Sequence, residues 1–196
     1  DIPHGPIEVL ITATEETGMD GANGLKPGVL KGDILLNLDS ETEGELYVGC
    51  AGGLDSTIEF NYKEAAVPAD SKAFKLSLKG LKGGHSGMDI NLGRGNSNKL
   101  LFRFLKANAK ALDLRMAAVN GGSLRNAIPR ESFALVTVPS ENAGQLQAKV
   151  AEASAIYKAE LIEKDPDVKL LVEEAELPAR VMDADLQERL IDAIMG

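Results

Sequence analysis

The chain has 196 residues, 44% of them hydrophobic and 26% charged, with a formal net charge of -9, a composition typical of a soluble protein long enough to bury a core. No apolar run approaches the roughly 18 residues that a bilayer crossing needs, and an acidic chain without a Lys/Arg stripe lacks the counterion-releasing surface of a nucleic-acid binder. Neither a membrane nor a nucleic acid is an expected partner, and the single Cys50 excludes an internal disulfide and points to a reducing, cytoplasmic compartment.

Residues 7–14, "IEVLITAT", form a continuous apolar run of the kind buried in a parallel sheet, and it ends on the paired carboxylates Glu15 and Glu16. Two like charges at a strand tip ask for a positive counter-charge. A glycine-rich turn follows, then a second apolar strand, "ILLNLDS", that ends near Asp39, and a candidate third, "ELYVGCAGG". The carboxyl ends of strands are where open α/β sheets place ligands, so Glu15, Glu16 and Asp39 are candidates for a convergent cation site. Only His4 and His85 are available as histidine donors, so a metal site inside this chain leans on carboxylates. Asp39, Glu41, Glu43 and Gly44 also mimic the opening of a calcium loop, but its twelfth position is Cys50 and its flanks read as strands, which rules that site out.

The composition changes near residues 50–55, which sets the expected boundary between a domain over 1–52 and one over 53–196. In the second part, "STIEFNY" and "AFKLSLKGL" read as strands, the latter alternating Phe74, Leu76 and Leu78 against Lys75, Ser77 and Lys79. The loop "KGGHSGMDINLGRGNSN" sets His85 among glycines, where a ligand can approach the backbone. A helix over 97–112 follows with Leu101, Phe104, Leu105 and Leu112 on one face. After the strand "RMAAVNGG" comes the loop "SLRNAIPRE", which offers Arg125, Asn126 and Arg130, groups suited to a carboxylate or carbonyl. Then come the strand "FALVTVP", a helix over 141–163 striped by Leu146, Val150, Ala153, Tyr157 and Leu161, the strand "VKLLVEEAEL", and a helix over 183–195. The charges of "AEASAIYKAELIEKDPD" fall opposite the stripe and read as a solvated face. The order of elements predicts an open antiparallel α+β sandwich with helices on one face, close to a ferredoxin-like unit.

The segments "PIEVLITATEETGMDGANGL", "GDILLNLDSETEGELYVGCAGG", "LKGLKGGHSGMDI", "GNSNKLL" and "GGSLRNAIPRE" together resemble the aminoacyl-histidine dipeptidases, a group also called peptidase D or cytosolic non-specific dipeptidase. These are di-zinc metallopeptidases related to carboxypeptidase G and carnosinase. The resemblance implies Glu15 as general base, Glu16 as a ligand of one zinc and Asp39 as a ligand of the other. It implies that His85, on a lid loop, polarises the scissile carbonyl, often across a homodimer interface. Asn126 is implied to line the substrate site, with Arg125 and Arg130 beside it.

The family also uses a His and a bridging Asp before the Glu pair and a further His far downstream, and this sequence has no match for them. The chain therefore reads as an internal fragment: an α/β strip of a catalytic domain (1–52) followed by an α+β, ferredoxin-like lid and dimerisation domain (53–196). The complete enzyme would be a cytoplasmic dipeptidase that binds two zinc ions and hydrolyses Xaa-His and other unblocked dipeptides. The fragment alone is expected to be inactive. A stand-alone dimerisation or binding module, and a related di-metal amidohydrolase with a non-peptide substrate, are the alternatives.

Overall fold

The alternation read at residues 73–81 is the centre of the fold. In the computed structural model, which describes residues 2–40, 42–50, 52, 54 and 56–196, the strand Ser71–Lys79 buries Phe74, Leu76 and Leu78 completely. The chain divides into two units, Asp1–Thr57 and Ile58–Gly196.

Within the second unit the strands are β1 (Glu64–Ala66), β2 (Ser71–Lys79), β3 (Gly84–His85), β4 (Arg115–Gly121), β5 (Ala127–Ile128), β6 (Ser132–Pro139), β7 (Lys169–Ala175) and β8 (Arg180–Met182). The helices are α1 (Ser97–Asn108), α2 (Ala143–Glu160) and α3 (Ala184–Met195). The main sheet runs β4-β6-β2-β7 with every pair antiparallel. Together with α1 between β2 and β4 and α2 between β6 and β7, this is the predicted ferredoxin-like arrangement.

Both crossover helices pack on the face that carries Phe74, Leu76 and Leu78, and their predicted stripes are the buried ones: Leu101, Phe104 and Leu105 from α1, Leu146, Val150 and Tyr157 from α2. Each apolar position recurs at helical spacing, so one face of each helix leaves water. On the opposite sheet face the Lys75 and Lys79 ammonium groups lie 4.9 and 5.2 Å from the centre of the Phe133 ring, and their stems cover it. β1 and β8 form a separate antiparallel pair, and β3 pairs with β5. Among the described residues no helix is long and apolar enough to cross a membrane.

Three expectations need correction. The segment "STIEFNY" forms no strand, and Ile58 and Phe60 stay exposed; the paired strand lies later, at Glu64–Ala66. α1 stops at Asn108, short of 112, although Leu112 is still buried beyond it.

The third correction concerns the first unit. Its described residues contain no strand: residues 7–14, 34–39 and 45–50 make no strand pairing, and Ile11, Leu38 and Val48 are almost fully exposed. An apolar run becomes a strand only when neighbours satisfy its N–H and C=O groups and cover its faces, and the described residues of this unit form no such pairing. Its regular elements are one 3-10 turn, Glu15–Thr17, and a single helical turn, Asp20–Asn23.

Candidate functional site

In the first unit the candidate residues Glu15 and Glu16 lie on one turn. Thr14 adopts a left-handed conformation (φ 60°) and its carbonyl accepts from the N–H groups of Thr17, Gly18 and Met19. Its hydroxyl accepts from the Asp20 N–H at 3.0 Å. Gly21 lets the following turn close, since a Cβ there would stand 2.6 Å from the Ala13 nitrogen. Both glutamates are exposed, so water screens the pair that the sequence set beside each other.

Asp39 is also exposed, and its N–H donates to Asn37 Oδ1 at 2.9 Å. Glu8 ties the same region together by accepting from the N–H groups of Lys31 and Gly32 at 2.7 and 2.8 Å. Carboxylates suit a divalent cation, but a zinc site takes three or four protein donors. Among the described residues no three His, Cys, Asp or Glu side chains are grouped to hold a metal, so Glu15, Glu16 and Asp39 are not gathered into one cluster. The residues described do not by themselves fit a zinc site. Glu41, part of the calcium-like run, lies outside the described residues.

The candidate residues of the second unit are better held. β3 and β5 join the two glycine-rich loops, pairing Gly84 with Ile128 and His85 with Ala127. The Ser86 N–H then donates to the Asn126 carbonyl at 2.8 Å. Two predicted residues 41 positions apart in sequence, His85 and Asn126, are thereby set side by side. Gly83 (φ 68°) packs against the stem of Arg130, where an added Cβ would lie 3.3 Å from the arginine Cβ. Lys82, Gly83, Gly84, Gly122, Arg130 and Phe133 border a cleft of about 460 Å³. Arg125 is exposed on the same loop.

Three further anchors were not apparent in the sequence. Asp165 was read as part of a solvated charge run, yet it is fully buried; Oδ1 accepts from the Lys82 N–H and Oδ2 from the Gly95 N–H, each at 2.7 Å. It clamps both ends of the His85 loop. Within that loop Asp89 accepts from the His85 N–H at 2.8 Å, and Arg94 donates to the Gly83 carbonyl at 2.7 Å. A carboxylate four residues after a histidine in a glycine-rich loop was the one available signal.

Residues 76–165 match the family described as a peptidase dimerisation domain. The chain is 54% identical over 173 residues to the cytosol non-specific dipeptidase of Escherichia coli (strain K12), an alignment that covers 88% of this chain and 36% of that protein. The crystal structure of aminoacylhistidine dipeptidase from Vibrio alginolyticus matches with a TM-score of 0.80 at 50% identity, over 94% of this chain and 38% of that one. Nearly the whole chain is similar to these dipeptidases. It spans little more than a third of the length of either dipeptidase relative. The peptidase dimerisation segment runs from β2 past α2 and includes His85, Asn126, Arg130 and the Asp165 clamp.

Proposed function

We propose that this chain is part of a metal-dependent dipeptidase that hydrolyses Xaa-His and other unblocked dipeptides in the cytoplasm. The observation that carries this reading is the identity, at half of all positions or more along nearly the whole chain, shared with two dipeptidases. Residues 1–52 supply Glu15 as the general base, which takes a proton from the attacking water and returns it to the leaving amine. Glu16 and Asp39 are two carboxylate ligands of a two-zinc centre whose remaining donors lie outside this chain. When bound, such ions polarise the carbonyl and lower the pKa of water.

Residues 53–196 act as lid and dimerisation domain, with His85 delivered across a homodimer interface to donate a hydrogen bond to the carbonyl oxygen as charge develops there. Asn126, Arg125 and Arg130 hold the dipeptide's polar ends, and the contact between the His85 loop and the Asn126 carbonyl supports that grouping.

The test uses the full-length protein and a dipeptide such as carnosine. Glu15→Gln is expected to lower kcat about 10²–10⁴-fold, the usual range for a positioned general base, with little change in KM. Unchanged turnover would sink the assignment. The 196-residue chain alone is expected to show no hydrolysis with added zinc. A second reading, a stand-alone dimerisation module, draws support from the internal core of residues 58–196. Sedimentation separates the two: a tight dimer of a chain that never contributes to hydrolysis favours the module.

A further inference from the structure

His85 makes an unusual use of its ring. Nδ1 lies 3.0 Å from the Gly87 nitrogen and 3.2 Å from the Met88 nitrogen, and both are N–H donors. A ring nitrogen that accepts two N–H bonds must present its lone pair, so in the neutral imidazole the proton sits on Nε2. The ring is exposed, and among the described residues nothing hydrogen-bonds Nε2. The loop therefore presents an outward N–H donor.

The turn that aims those two amides is itself held. The Asp89 N–H donates to the His85 carbonyl at 3.1 Å, and Asp89 Oδ2 accepts from the His85 N–H at 2.8 Å. Arg94 Nη1 lies 3.4 Å from the same oxygen while donating to the Gly83 carbonyl at 2.7 Å. Both side chains are largely buried, with 26% and 31% of the Arg94 and Asp89 side chains exposed. Gly84 sits at φ 148°, and a Cβ there would fall 2.5 Å from Arg94 Nη1 and 2.6 Å from Asp89 Oδ2. The pair thus occupies space that any other residue at position 84 would claim.

We propose that Asp89 and Arg94 are positioning residues that hold His85 in one orientation and in the single neutral tautomer with the proton on Nε2. The value of that tautomer for catalysis rests on the reading of His85 as the donor to the substrate carbonyl, since a donor must carry its proton before charge develops. The tautomer itself is independent of that reading and is measurable without substrate.

The experiment is a long-range ¹H–¹⁵N correlation spectrum of the histidine rings in the ¹⁵N-labelled 196-residue chain, with both imidazoles neutral. His4 is no neutral standard, because its Nδ1 lies 2.8 Å from the Gly5 carbonyl, which favours a proton on Nδ1; the reference is a free, neutral N-acetyl-histidine amide. The two His85 ring nitrogens are expected to be further apart in shift than those of the free imidazole, with Nε2 the protonated one. A separation equal to that of the free imidazole, or a protonated Nδ1, overturns the proposal without recourse to any variant. Asp89→Ala is expected to collapse the separation towards the free value, whereas Asp89→Asn, which keeps an oxygen acceptor for the His85 N–H, retains it. A folded Asp89→Ala chain with an unchanged separation overturns the role of Asp89. Arg94→Met is expected to give a smaller collapse of the same sign, and no change there removes Arg94 from the device. In the full-length protein, His85→Ala with undiminished dipeptide turnover would overturn the donor role and leave the holding device standing.

Discussion

Asp165 shows how much a single buried carboxylate can hold. Among the described residues it makes no ion pair, and backbone donors satisfy it, the N–H groups of Lys82 and Gly95. Bonds from backbone N–H to an ionised carboxylate are among the stronger neutral-to-charged ones, and removing the acceptor strands both donors. Asp165→Ala is therefore expected to cost about 2–6 kcal/mol, taking roughly 1–3 kcal/mol for each of the two donors left unsatisfied, read as a lower urea midpoint at unchanged slope. Asp165→Asn keeps one acceptor oxygen and is expected to fall between the two. Because Asp165 clamps the loop on either side of His85, the loss should also speed amide exchange from Lys82 to Gly95 more than elsewhere.

At the level of elements, α1 and α2 are pinned by three side chains. Arg103 makes a two-pronged contact with Glu160, both bonds at 2.7 Å, and its guanidinium stacks 5.2 Å from the centre of the Tyr157 ring. The Tyr157 hydroxyl donates to the Leu100 carbonyl at 2.9 Å. Burial pushes the phenol up to about 12 from its ordinary 10, with the nearby Arg103 pulling the other way. For an acid whose folded value is raised, the stabilising contribution is complete below the unfolded value and is lost as pH rises through the folded one. Stability should thus fall between about pH 10 and 12, and Tyr157→Phe should flatten that alkaline limb while costing about 1 kcal/mol at neutral pH for the lost hydrogen bond.

The Glu160 carboxyl shifts the opposite way, held below its ordinary 4.5 chiefly by the Arg103 hydrogen bond. Its contribution is present above that value and lost as pH falls through the lowered one. Both partners are nearly half exposed, so solvent screening keeps this pair at roughly 0–1 kcal/mol. The apolar contact outweighs it: Phe104→Ala, in the fully buried face of α1, is expected to cost about 3–5 kcal/mol by thermal or urea unfolding.

Across the whole molecule, the second unit was legible because its signals are local and their partners are in the same chain. Phe74, Leu76 and Leu78 alternate, the helix stripes recur at helical spacing, and each meets the other in one core. The first unit carries equally strong apolar runs, but a strand is a relation between chains of backbone, and Ile11 or Leu38 has no such neighbour here. Asp165 was misread for the reverse reason: sequence shows a charge among charges, and only the fold brings two amides to it. His85 and Asn126 stand out singly, by residue chemistry and resemblance, whereas the loop-to-loop contact that joins them depends on tertiary structure.

The sheet order carries a consequence in time. β2 lies in the middle of the sheet yet comes first of its four strands along the chain, and its two neighbours, β6 and β7, begin at Ser132 and Lys169. As the chain emerges from the ribosome, this central strand is made early and waits for the partners of both its edges to be synthesised. During that interval it is an open template for foreign strands. Lys72, Lys75 and Lys79, spaced along β2, put charge on it before any partner arrives, which is the usual protection for a strand that must wait.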